Sequence, residues 1–326
     1  MELVEVIKPG LLTTVQDLGR HLYRTFGVSV CGAMDPLSLR LGNLLVGNEE
    51  DTAALEATLI GPHLRFNAEG VIAITGGNLS PLLNNKTVPM WKALRVKKGD
   101  ELKFGSCKDG CRAYISFAGG IDVPAVMGSK STYIRGNYGG IEGRAIKAGD
   151  FIPIGMSLFN FDYLHGRKLR PEDIPNFKEE RPVDFIFGPH INEFTKQSLK
   201  EFMEGSYTLS NESDRMGYRL QGPQLKHITG PDIISDFMTV GTIQVPGSGQ
   251  PIVHMSDCGT SGGYTKIGVI IGTDLSYMGQ KKPGDKINFK SVKIEDAQNK
   301  WNKQERSIEE LGLINKLLPK RRLQAN

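Results

Sequence analysis

No run of about 18 apolar residues occurs in this chain of 326, so no segment reads as a helix able to cross a bilayer. Cysteine is scarce. Cys31, Cys107, Cys111 and Cys258 form no pair of pairs with nearby histidines, which argues against a metal site and for reduced thiols in a cytoplasmic protein. Excess charge of one sign is also missing: 40 Lys and Arg against 36 Asp and Glu leave +4. Much of that sits in the final Lys320-Arg321-Arg322, so nothing resembles the concentrated basic face of a nucleic-acid binder. The opening Met1-Glu2-Leu3-Val4-Glu5 is acidic and alternating, the opposite of a secretory leader. Neither a Gly-x4-Gly-Lys-Ser/Thr phosphate loop nor a Gly-x-Ser-x-Gly nucleophile elbow is present. Long βαβ units are absent, which argues against a Rossmann-type sheet.

What the chain does have is glycine, 39 residues of it, with 17 prolines, between short apolar runs. Tight turns linking many short strands account for that better than long helices do. The length suggests two domains. Strands are expected in the first ten residues, at 71–75, 112–117, 182–187, 207–209, 242–245, 252–255 and 267–271. Asp35 before Pro36 is an N-cap followed by proline at the first helical position, predicting a helix over 36–46. A second helix is expected within 191–203. Residues 159–181, rich in charge and proline, read as a linker. Beyond Phe289, Trp301, Ile308, Leu311 and Ile314 suggest one apolar face of a C-terminal helix, with a mobile basic end after Pro319. Gly-Asp after a lysine-containing approach recurs at Gly99-Asp100, Gly149-Asp150 and Gly284-Asp285, as two related β modules or a shared turn would produce. The expected divisions are 1–165, a linker at 166–181, 182–292, and a helix with basic tail at 293–326.

Several ordered segments carry a resemblance. They include Thr14-Val15-Gln16-Asp17-Leu18-Gly19-Arg20, Gly32-Ala33-Met34-Asp35, Gly119-Gly120-Ile121-Asp122-Val123-Pro124 and Met127-Gly128-Ser129-Lys130-Ser131-Thr132. The second half adds Ser213-Asp214-Arg215-Met216-Gly217-Tyr218-Arg219-Leu220, Thr242-Ile243-Gln244-Val245-Pro246 and Gly262-Gly263-Tyr264-Thr265-Lys266-Ile267. Over roughly residues 1–290 the chain resembles the biotin-dependent carboxyltransferase family, also called allophanate hydrolase subunit 2. The resemblance implies a mostly β fold: two cyclophilin-like β-barrel domains with a few short helices and a C-terminal helix. It further implies the C component of an ATP-dependent 5-oxoprolinase, hydrolysing 5-oxoproline to L-glutamate with A-type and B-type (KipI-type) partner subunits, and sharing ATP and magnesium with them. The alternatives are a carboxyltransferase component of a urea carboxylase or allophanate pathway, and a KipA-type regulator of a histidine-kinase inhibitor. No Ala-Met-Lys-Met-like site is present, so no biotin is expected on this chain. Departures from the pattern are Cys31 where a small polar residue is expected, a loose Asp257-Cys258-Gly259-Thr260-Ser261, and a longer, more basic tail.

The family supplies no residue roles here, so candidates follow from chemistry. Opening an unstrained lactam with ATP calls for arginines and backbone N–H groups around phosphate, and a carboxylate to position water or substrate. Asp17 and Asp257 are the candidate carboxylates. Arg215 and Arg219, four apart beside a glycine, are candidate anion binders. Gly139-Gly140 with Arg144, and Gly262-Gly263-Tyr264 beside Lys266, are loops able to approach an anion closely. Arg20 and Ser129 complete the set, with Lys130 beside Ser129 as a weaker Ser–Lys pairing. His63, His190, His227 and His254 are isolated and read as structural.

Overall fold

The computed structural model describes residues 2–320. They divide into two compact units: residues 2–19, 35–178 and 306–320 in the first, 20–34 and 179–305 in the second. Both are built mainly from strands, with a helix, Ile294–Lys316, near the C-terminus. That is the expected fold class.

In the first unit, Val4 and Val6 alternate inward from Glu2–Lys8, as a half-buried strand requires. They meet Leu64, Phe66, Leu102 and Ile152 of the same six-stranded sheet. A five-stranded sheet adds Val15, Leu55, Ile72, Ile74 and Ile115 to that core. Asp35 caps the helix Pro36–Leu45, accepting from the Ser38 amide at 2.9 Å. Leu41 and Leu45 of this helix pack with Trp91, Phe159, Leu164 and Leu169. The proline-rich stretch after Leu158 is thus anchored by three buried apolar side chains, and its short helix Phe161–Leu164 was not apparent from periodicity.

The second unit holds an eight-stranded sheet whose edge strands are Lys286–Ile287 and Phe289–Ser291. One residue, Asn288, separates these edges, so the sheet curls until its ends nearly meet. Phe185, Phe202, Tyr207 and Phe289 fill it, with ring centroids 4.6–6.0 Å apart. Outside it stands a two-stranded ribbon, Asp232–Phe237 with Ser261–Tyr264.

The recurring Gly-Asp pairs are one turn built three times. The aspartate carboxylates accept from the amides of Lys97, Lys147 and Lys282 at 2.7, 2.7 and 3.0 Å. Gly99, Gly149 and Gly284 have φ of +90°, +87° and +91°, as the third position of a type II turn demands. In each turn the glycine N–H and the aspartate C=O pair with one residue, Phe66, Val6 or Leu209. The repeat is therefore a shared device for locking a strand end, used twice in the first unit and once in the second.

The C-terminal helix corrects one expectation. Ile308 is buried and Leu311 packs on the first unit's core, but Trp301 and Ile314 are 44% and 49% exposed. Two successive three-residue steps rotate about 120° away from the starting face, so Ile314 leaves the stripe. The buried line runs Ile308, Leu311, Asn315. The basic end from Arg321 lies outside the described residues.

Candidate functional site

The candidate residues fall into two groups, one in each unit. In the first unit Asp17 follows the strand Leu12–Gln16 and is saturated by donors. Its carboxylate accepts from the Gly19 amide at 2.8 Å, Ser129 Oγ at 2.7 Å, Ser131 Oγ at 2.5 Å and the Lys130 amide at 2.5 Å. Lys130 Nζ turns instead to Ile121 O at 2.9 Å, so no Ser129–Lys130 pair forms. The Gly140 amide donates to Lys130 O at 2.9 Å, and a Cβ on Gly140 would fall 2.0 Å from Thr132 Oγ1. Gly139 accepts from the Gly143 amide at 2.8 Å. Arg144 grips Asp150 with two bonds of 2.7 and 3.0 Å and reaches Glu142 at 3.0 Å. Asp150 chiefly raises the Arg144 pKa above its ordinary value, while Arg144 holds the Asp150 carboxyl below its own. The geometry of this group is that of interlocked loops.

In the second unit Arg20, Arg215 and Asp257 come together around Cys31. Arg215 binds Asp257 through Nε at 3.0 Å and Nη2 at 2.9 Å, and Nη2 also donates to Gly32 O at 2.6 Å. The paired side chains are 7% and 8% exposed, so this is a buried bidentate ion pair. Burial first, then the Asp257 charge, push the Cys31 thiol up to about 12, and it stays protonated at neutral pH. Arg219 does not join: it alternates outward from Gly217–Gln221 beside the buried Tyr218 and Leu220.

Sequence neighbours of that cluster line a cavity of about 200 Å³, among them His21, Arg24, Val30, Met238, Cys258 and Thr260. Arg24 Nη2 donates to Met238 O at 2.6 Å; among the described residues its other guanidinium N–H groups have no acceptor. Arg24 thus brings a guanidinium to the cavity wall. Sequence reasoning passed over it, although it stands four residues past Arg20 in the Asp17–Arg20 motif. Met238 and Thr260 sit at the base of the ribbon, where the Met238 amide donates to Thr260 O at 2.9 Å. Gly262 lies in the ribbon because Met238 Sδ and Gln244 Nε2 would each be 2.7 Å from a Cβ there. Gly263 follows it, and Tyr264 is partly exposed with the ribbon's Ile234 and Phe237. Lys266 ties the ribbon down, donating to Asp236 and to Phe237 O.

Below the ribbon, Gln244 donates to Tyr264 O at 3.1 Å, so its Oε1 faces His254 Nε2 at 2.8 Å and that nitrogen carries the proton. Burial pushes the His254 pKa down to about 4. Between about pH 6.5 and 4 the unfolded chain then binds a proton that the folded one refuses, so acidification destabilises the fold. Denaturant melts at pH 7 and pH 5 are expected to show this loss in the native chain and a smaller one in His254→Gln. Equal losses would sink the assignment.

A mostly β chain of two units, one a nearly closed eight-stranded sheet with a buried Arg–Asp pair beside a cavity of about 200 Å³, defines the class. The profile described as "carboxyltransferase domain, subdomain A and B" matches residues 26–291, and the chain belongs to that family. It is 38% identical over 310 residues to the C component of 5-oxoprolinase from Escherichia coli, covering 95% of this chain and 98% of that one. It is 35% identical over 326 residues to the urea amidolyase of Lachancea kluyveri, covering 94% of this chain but 18% of that protein. The solved urea carboxylase of Kluyveromyces lactis matches with a TM-score of 0.89 and 33% identity, over 95% of this chain and 29% of that one. These relatives are parts of enzyme complexes or of larger enzymes. Among the described residues no helix is long and apolar enough to cross a membrane.

Proposed function

We propose that this chain is the C component of an ATP-dependent 5-oxoprolinase, opening 5-oxoproline to L-glutamate in a cytoplasmic complex with A-type and B-type subunits. One observation carries the reading: similarity to the C component of 5-oxoprolinase extends over 98% of that protein, whereas the urea enzymes contain the matching region as a small part. In this reading phosphoryl transfer from ATP to the amide oxygen makes the ring carbon electrophilic. Water attacks it and the ring C–N bond breaks, the nitrogen leaving as the protonated α-amine and the ring carbon as an acyl phosphate. A second water then hydrolyses that acyl phosphate to the γ-carboxylate and inorganic phosphate. Arg24 would hold the substrate carboxylate or the transferred phosphoryl group at the cavity wall, a task suited to a guanidinium with uncommitted donors. The Arg215–Asp257 pair would keep that wall rigid through Gly32 and Cys258. The nucleotide is proposed to be shared with the partner subunits. Among the described residues no three His, Cys, Asp or Glu side chains converge on a metal position, and magnesium, like the nucleotide, is proposed to be shared with the partner subunits.

The test is reconstitution with the A-type and B-type subunits, following ATP-dependent glutamate release. The chain alone is expected to be inactive and the complex active. Arg24→Gln is expected to lower kcat/KM by about 10- to 100-fold, the worth of one or two charged hydrogen bonds, with an unchanged melting temperature. Full activity in Arg24→Gln would remove this cavity from the reaction. Turnover of urea and bicarbonate with a biotin-bearing partner would support the carboxyltransferase reading, which the fold match favours. Tight partner binding without turnover of either substrate would support the KipA-type reading.

A further inference from the structure

The first unit carries a second cavity, about 680 Å³, to which none of the candidate residues above contributes. That volume lies in the range of small-molecule sites. Its walls come from the C-terminal ends of two helices, Leu44 and Gly47 at the end of Pro36–Leu45 and Asn315 and Lys316 at the end of Ile294–Lys316. Helix C-termini present carbonyl oxygens and partial negative charge, which favours a hydrogen-bond donor or a cation.

Asn315 gives that preference a definite atom. It is 9% exposed, and its Nδ2 donates to Leu44 O at 3.1 Å, which fixes the amide orientation because an oxygen there would face another oxygen. Its Oδ1 is then buried without a donor among the described residues. A buried acceptor left unsatisfied costs on the order of 1–3 kcal/mol, so such an atom beside a cavity marks a place where a donor belongs.

The remaining wall is mixed in a particular way. Glu49 and Glu309 line it together with Lys316 and Lys320, and none of these four has an ion-pair partner among the described residues. Charges of both signs face one space without neutralising each other. Met156 and Leu313 expose apolar surface beside them. We propose that this cavity binds a zwitterionic α-amino compound with an apolar side chain. Its ammonium is held by Asn315 Oδ1 and the glutamates, its carboxylate by Lys316 or Lys320, and its side chain by Met156 and Leu313. The proposal is independent of the reaction assigned to the second unit.

Calorimetric titration of the full chain with L-leucine tests it. Saturable binding is expected, with leucinamide and 4-methylpentanoate, each lacking one charge, at least about tenfold weaker, or about 1.4 kcal/mol. L-glutamate, which keeps both charges but cannot use the apolar wall, is expected to be weaker by a similar factor. Glu309 is exposed, so Glu309→Lys will fold; it is expected to weaken leucine about tenfold, and Lys316→Glu to do the same. No heat at millimolar leucine would overturn the proposal. So would equal binding of the single-charge analogues, or unchanged affinity in both variants.

Discussion

Replacing Asp257 by alanine is expected to lower unfolding stability by about 3–5 kcal/mol, because it strands a buried guanidinium. Arg215 and Asp257 exchange two hydrogen bonds of 2.9 and 3.0 Å, and Arg215 spends a further one on Gly32 O at 2.6 Å. Once the carboxylate is gone, the cation stays in a site where its side chain is 7% exposed. Against a typical total of about 5–15 kcal/mol this is a large fraction, and the urea midpoint is expected to fall accordingly. Arg215→Met combined with Asp257→Leu is expected to recover most of the loss, since removing both charges removes the desolvation cost as well. Cys31 supplies an independent readout. The Asp257 charge helps hold its thiol up near about 12, so Asp257→Ala is expected to let the pKa fall and thiol-reagent labelling speed up at alkaline pH. An unchanged urea midpoint with abolished turnover would instead make Asp257 a group acting on substrate.

That pair also shows how far the sequence carries. Arg215 and Asp257 were each legible as charged residues in ordered motifs, the one as an anion binder and the other as a carboxylate for water or substrate. No local pattern says that two residues 42 apart satisfy each other across a turn. Asp17 is a similar case: its motif was visible, but its four donors include two serines more than a hundred positions away. Local rules succeeded where the physics is local. Asp35 before Pro36 gave the capped helix, alternation gave strands such as Tyr207–Leu209, and the Gly-Asp turns were visible as repeats. The helix Ile294–Lys316 was legible as a helix, but its buried face was not, because an amide, Asn315, takes the inward place expected of Ile314. Arg24 escaped notice for a different reason. A lone arginine in a short 3-10 segment carries no pattern, and its significance comes from the cavity it lines.

Deleting residues 305–326 is expected to cost several kcal/mol and to promote aggregation, while deleting 321–326 alone is expected to leave stability unchanged. Ile308 is 1% exposed, and burying such a side chain is worth about 1.5–3 kcal/mol. Leu311 and Leu318 pack on the cluster of Leu41, Leu45, Trp91 and Phe159, so the longer deletion also uncovers apolar surface on the first unit. It also removes the hydrogen bond from Asn315 to Leu44 O, one of two that this carbonyl accepts among the described residues, the other coming from the Gly47 amide. Point substitutions separate these contributions. Ile308→Ala is expected to cost about 2–5 kcal/mol as a buried truncation. Trp301→Ala is expected to cost less: the indole is 44% exposed, and its ring lies over Gly272, where a Cβ would meet it at 2.7 Å. Denaturant midpoints and light scattering on the four proteins provide the measurement. If the 305–326 deletion kept the native midpoint and stayed monodisperse, the buried line through Ile308, Leu311 and Asn315 would contribute nothing to the fold. If Trp301→Ala proved the costlier substitution, the stabilising contact of this helix would lie in its first half, on the second unit.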